Sequence, residues 1–299
     1  MESFALIIIA ISIGYLINKG NIFAKEAPII LNQFLLYISL PAMTLLHIPK
    51  MILSFDVLIP IIISWVVVII SAILILYISK RLEFSKNTTG ALMLVGALGN
   101  TTFIGIPINL AYFGEASLSY VLVYDQLGSF ILLSTYGTFI SIYYSSTEHV
   151  DAKAIVFKMI SFPPFIALLV ALLLIGTTFN STVTSVLSSF ADTIVPLALV
   201  AVGMELKFKL PKEYKKPFMT ALGVKLIAAP IIAIILAFVF SWDTLSAQVS
   251  IVESGMGPMI TAGAVASMAG LAPRLSSAIV GYGTLFSFIT TWILYQIIS

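Results

Sequence analysis

The chain contains no cysteine, and it is short of charge: of its 299 residues only 9% are Asp, Glu, Lys or Arg, against 60% hydrophobic. Without cysteine there is no disulfide, no thiol nucleophile and no thiolate metal site, and the redox compartment is left open. The two histidines, His47 and His149, lie far apart near segment ends, where interfacial histidines are the plainer reading, so no metal site is expected. Neither G-x-S-x-G nor H-E-x-x-H occurs, which removes the familiar serine-hydrolase and zinc-protease signatures. Tyr124-Asp125 matches half of an intramembrane aspartyl pair, but no G-x-G-D follows, and Asp192 lacks flanking glycines. That mechanism needs two carboxylates sharing a proton, so an enzyme is not expected. A soluble domain carries about a quarter charged residues. Together with a mean hydropathy of +1.11, the shortage of charge implies an integral membrane protein whose surroundings are a lipid bilayer. No nucleic-acid partner is expected.

Ten apolar runs are each long enough to cross a membrane: about 3–18, 28–47, 57–79, 88–113, 117–144, 162–179, 183–204, 217–240, 245–270 and 275–298. The first is preceded by no basic region and followed by no small-residue cleavage site before Lys19, so it is expected to span the membrane and not to be removed as a signal peptide. The stretch 148–161 sets Val150, Ile155, Val156 and Met159 against Asp151, Lys153 and Lys158, the pattern of a helix lying on the membrane surface. Thirteen of the fifteen basic residues fall in the connections after runs 1, 3, 5, 7 and 9; the exceptions are Lys50 and Lys225. By the positive-inside rule those connections are cytoplasmic and both termini lie outside, in the cell membrane.

One stretch resists this pattern. Gly96-Ala-Leu-Gly-Asn-Thr-Thr-Phe-Ile-Gly-Ile-Pro107 puts three glycines, an amide, two hydroxyls and a proline in mid-span. Unpaired backbone in hydrocarbon costs several kcal/mol per group, so such a break persists only where protein or water covers it. Run 9 has a similar break at Ser254-Gly-Met-Gly-Pro258. The halves share other features at nearly constant offset: Tyr124-Asp-Gln-Leu-Gly-Ser-Phe130 with Tyr282-Gly-Thr-Leu-Phe-Ser-Phe288, and Ile38-Ser-Leu-Pro41 with Thr193-Ile-Val-Pro196. Five spans is an odd number, so a second copy would be inverted. The expected fold is all-α, with ten transmembrane helices as two inverted five-helix repeats, 1–146 and 147–299, and with broken, crossing helices 4 and 9. Paired broken helices at mid-membrane mark the binding sites of secondary transporters.

Gly99-Asn100-Thr101-Thr102-Phe103-Ile104-Gly105-Ile106-Pro107 resembles the G-N-x-x-F-x-G-I-P signature of the auxin efflux carrier family. Leu36 to Ala42, Ser161-Phe-Pro-Pro-Phe-Ile-Ala167 and Val195 to Gly203 are similar to that family's second, sixth and seventh spans, so the likeness covers essentially the whole chain. A more distant one is to bile acid sodium symporters, whose E-x-G-M is matched by Glu253-Ser-Gly-Met256; Gly257-Pro258 then replaces their ion-binding Gln-Asn-like pair. These resemblances imply a scaffold of helices 1, 2, 6 and 7, a transport domain of helices 3–5 and 8–10 moving by an elevator mechanism, and a homodimer. They also imply a small organic anion as substrate, an auxin-like acid or a dicarboxylate.

Two broken helices that cross expose N–H groups suited to a carboxylate and carbonyls suited to a cation. Asn100, Thr101, Thr102, Gly255 and Met256 are accordingly the expected substrate contacts. Gly99, Gly105, Pro107, Gly257 and Pro258 are expected to shape the breaks. Intramembrane acids are functional candidates by default, so Glu253 and Asp125 are candidates for proton or Na⁺ coupling. Lys225 joins them in coupling, neutralises a substrate carboxylate or pairs with Glu253 or Asp125, or else snorkels to the cytoplasmic interface. A channel or a transporter-like ligand sensor built on the same scaffold remains the alternative.

Overall fold

The computed structural model of the chain describes residues 2–145, 157 and 160–299, and every regular element among them is helical. In order these are α1 (Glu2–Lys19), α2 (Ala27–Lys50), α3 (Phe55–Arg81), α4 (Lys86–Val95), α5 (Thr101–Phe113), α6 (Glu115–Tyr144), α7 (Pro163–Leu173), α8 (Ser181–Glu205), α9 (Lys212–Val239), α10 (Leu245–Ser254), α11 (Ile260–Met268) and α12 (Pro273–Ile298). Six of them, α2, α3, α6, α8, α9 and α12, are long and apolar enough to cross a membrane. Their outward faces carry large apolar side chains such as Ile30, Ile73, Tyr77 and Phe238, as a lipid-facing surface requires.

Local chemistry sets the helix ends. Ser85, Asn180 and Thr244 each accept a bond from the backbone N–H three residues on, starting α4, α8 and α10, which satisfies donors that the first turn leaves free. Helix α7 is shorter than the run 162–179 suggested. It stops at Leu173, and Gly176 follows in the left-handed region (φ 82°) with its N–H bonded to the Pro49 carbonyl. Eleven residues rise only about 16 Å, so apolar content overstated this helix. The amphipathic stretch 148–161 lies, apart from Phe157, Ile160 and Ser161, outside the described residues.

Three helices widen into a π turn just before a proline: Leu35–Ser39 before Pro41, Thr101–Gly105 before Pro107, and Val224–Ala228 before Pro230. A proline ring clashes with the carbonyl four residues back and offers no N–H to it. Inserting one residue into the turn relieves that clash, and such bulges gather at functional sites.

Helices α1, α2, α7 and α8 pack on one another. α1 and α8 approach closely at Gly14, where a Cβ would collide with the Val200 carbonyl, and α2 meets α8 through the Ser39 and Thr193 hydroxyls, 2.7 Å apart. Helices α3, α6, α9, α11 and α12 gather around α4 and wholly enclose its Ala91, Leu92, Leu94 and Val95.

Candidate functional site

Helix α4 ends at Val95 and α5 begins at Thr101; α10 ends at Ser254 and α11 begins at Ile260. The two interruptions meet. Gly99 and Pro258 form an antiparallel backbone bridge, in which the Asn100 N–H donates to the Gly257 carbonyl (2.8 Å) and the Met259 N–H to the Leu98 carbonyl (3.0 Å). Each break thus satisfies backbone groups of the other, which the apolar surroundings demand. Pro258 lies in this bridge. Pro107 does not: it falls at the start of the α-helical part of α5, beyond the π turn, and shapes the helix instead of the break.

Beside the bridge lies a cavity of about 510 Å³. One wall is Leu36 and Leu40 of α2 with Phe162 and Pro164 at the start of α7. The other comes from the breaks and from α5, α6 and α11, with Asn100, Thr102, Phe103, Asp125, Gln126, Met259 and Thr261. Phe130 and Phe162 stack face to face across it, ring centroids 4.5 Å apart.

The polar groups of this cavity are held in fixed orientations. The Asn100 side-chain carbonyl accepts from the Phe103 N–H (3.2 Å), which leaves its amide nitrogen as the free end; that nitrogen is buried and has no protein partner. Gln126 is held the other way round. Its amide nitrogen donates to the Thr44 hydroxyl (2.7 Å), which itself donates to the Leu40 carbonyl, so the Gln126 carbonyl oxygen is buried and unpaired. One oxygen of Asp125 accepts from both the Thr101 and Thr102 hydroxyls, each at 2.6 Å. Among its fully buried polar atoms the cavity wall therefore offers a spare donor and a spare acceptor beside a carboxylate, and its single charged residue is acidic. A buried polar group left unpaired costs about 1–3 kcal/mol, which a ligand contact would recover.

Other predicted residues stand behind this wall. Thr101 is enclosed and turned to Asp125. Met256 is fully buried and Gly255 faces Leu294 of α12, so neither lines the cavity. Glu253 is also fully buried; its carboxylate rests against Gly105, where a Cβ would collide with it, and accepts from the Asn109 amide (2.7 Å). Its second oxygen has no hydrogen-bond partner. Lys225, 2% exposed, does not reach an interface: its ammonium donates to the Ser254 carbonyl at 2.6 Å. Asp125, Lys225 and Glu253 are the charged residues among the described ones that are buried. Sequence reasoning missed Gln126, Met259, Thr261 and Asn109. Asn109 and Gln126 carried a usable signal, as amides within apolar runs.

The family model described as Membrane transport protein matches residues 1–295. An uncharacterized transporter of Methanocaldococcus jannaschii is 27% identical over 265 residues, covering 86% of this chain and 85% of that protein. An uncharacterized transporter of Methanothermobacter thermautotrophicus is 23% identical over 296 residues, covering 97% of this chain and 95% of its own.

Proposed function

Because the chain belongs to the membrane transport protein family, the auxin efflux carriers' family, and is a multi-pass membrane transporter rather than an enzyme, we propose that it is a secondary active transporter of a small organic anion held in the cavity beside the two breaks. Ten spans arranged as inverted repeats, with the breaks as crossing points of helices 4 and 9, account for the antiparallel pairing of Gly99 with Pro258. In this reading α1, α2, α7 and α8 form the scaffold, and the helices around α4 carry the substrate across by an elevator motion. The observation that carries it is the position of the cavity. Its walls come from both groups of helices, with the spare Asn100 donor on the mobile side.

The cavity runs from the breaks past Ser134 and Thr138, towards the end of α6 that leads to the basic connections. With those connections cytoplasmic, the protein sits in the cell membrane with both termini outside, and this conformation faces inward.

Charge bears on coupling. Buried charges are expensive and need neutralising, and the buried set holds two acids, Asp125 and Glu253, against one base, Lys225. One negative charge is left over, and the acid that an entering carboxylate would meet is Asp125. A proton on Asp125 removes the repulsion and gives the carboxylate a second donor beside Asn100. The proposed coupling ion is thus H⁺. The test is uptake of labelled dicarboxylates and aromatic acids by proteoliposomes under imposed proton or sodium gradients. Flux driven by the proton gradient alone is expected. Binding without flux would identify a sensor, and flux indifferent to both gradients an uncoupled carrier.

A further inference from the structure

Lys225 is in the wrong place for a substrate-binding cation and for a snorkelling one. It does not line the cavity, and it is as enclosed as the apolar core. Its partner is a backbone oxygen, the carbonyl of Ser254, the last residue of α10. The last four carbonyls of a helix have no intrahelical donors, and together they present about half a negative charge. The same ammonium presses on the other break. A Cβ built on Gly99 would lie 3.0 Å from both the Lys225 Nζ and its Cε, and 3.8 Å from the Glu253 carbonyl. Gly99 is therefore the residue that leaves room for the ammonium where the two breaks meet. The stem reaches there from the π turn Val224–Ala228, forced by Pro230.

A buried meeting point of helix ends and exposed carbonyls is a place where broken-helix transporters can hold a free cation. Here a covalently attached one is already seated in it. We infer that the Lys225 ammonium is a resident cation, filling the position between the end of α10 and Gly99 that a coupling Na⁺ would otherwise take, so that this transporter has no sodium site where its breaks meet. The inference rests on the proposed role of the breaks as the transport core, and it sharpens the coupling assignment. It differs from a packing role because a packing lysine would be replaceable by an apolar side chain of similar length.

The test uses thermal melting of the purified chain in detergent, which needs no transport and so fails or succeeds separately from the flux assay. Wild-type protein is expected to melt at the same temperature in sodium chloride and in choline chloride at equal ionic strength. Lys225→Ala is expected to melt lower in choline and to recover part of the loss in Na⁺ or methylammonium, small cations that fit the vacated space. Lys225→Met, which fills the space without the charge, is expected to stay low in every salt. A wild-type midpoint that rises with Na⁺ but not with choline would overturn the inference. So would a Lys225→Met protein as stable as wild type, or a Lys225→Ala protein blind to both cations. If neither variant can be isolated, the wild-type comparison decides alone.

Discussion

Asn100 and Asp125 are polar residues in apolar runs, and that alone made them visible in the sequence. What the sequence did not show is how they are aimed. The Asn100 amide is oriented because its oxygen caps the π turn of α5. Gln126 is the neighbour of Asp125, and adjacent residues on a regular helix point about 100° apart. The wide turn Tyr124–Phe130 lets both line one cavity. Lys225 could not be assigned from sequence because a long flexible stem reaches either an interface or a buried oxygen; the carbonyl of Ser254 decides between them. Asp125→Asn keeps the shape and removes the titratable proton. It is expected to exchange substrate at equilibrium while losing all response to a pH gradient, measured as gradient-driven against gradient-free flux in proteoliposomes. A variant that still follows the gradient would move coupling to another group.

At the scale of the element, the prolines were legible and their effect was not. Pro107 read as a residue that holds the break open, yet it stands a full turn beyond it and widens α5 over Thr101–Gly105. That turn sets the Thr101 and Thr102 hydroxyls on Asp125 and brings Gly105 against Glu253. Pro107→Ala restores an N–H and allows a regular helix, so it is expected to cut flux at least several-fold. The melting temperature should hold or rise, because proline in a helix costs about 3 kcal/mol relative to alanine. Flux at the wild-type level with the turn regularised would show that the bulge is not needed for transport. Helix α7 is the element that composition misread. Apolar residues continue to about 179, but the chain turns at Gly176, and hydropathy does not register a left-handed glycine.

For the whole molecule, charge distribution and hydropathy carried much: an all-helical membrane protein, and two breaks spaced to be partners. Which backbone atoms join them depends on register, which no spacing argument supplies. The absence of cysteine becomes useful here, since any introduced pair is the only pair. Leu40→Cys on α2 and Met259→Cys beside the bridge lie on opposite walls of the cavity. Joining them with a cleavable thiol-reactive cross-linker is expected to stop transport, and cleavage to restore it; undiminished flux through the cross-linked protein would exclude relative motion of the two helix groups. The claim on which all of this depends is that the paired breaks bind the anion through Asn100. Asn100→Asp keeps the oxygen that caps α5 but exchanges the spare donor for an acceptor. Counterflow of a labelled carboxylate in proteoliposomes compares it with wild type most directly. A hydrogen bond to a charged group is worth about 1.5–3 kcal/mol. The expected result is therefore a loss of apparent affinity of roughly tenfold to a hundredfold in a variant that folds but melts lower, because its new carboxylate is buried. Equal counterflow by the two proteins would contradict the assignment of the site.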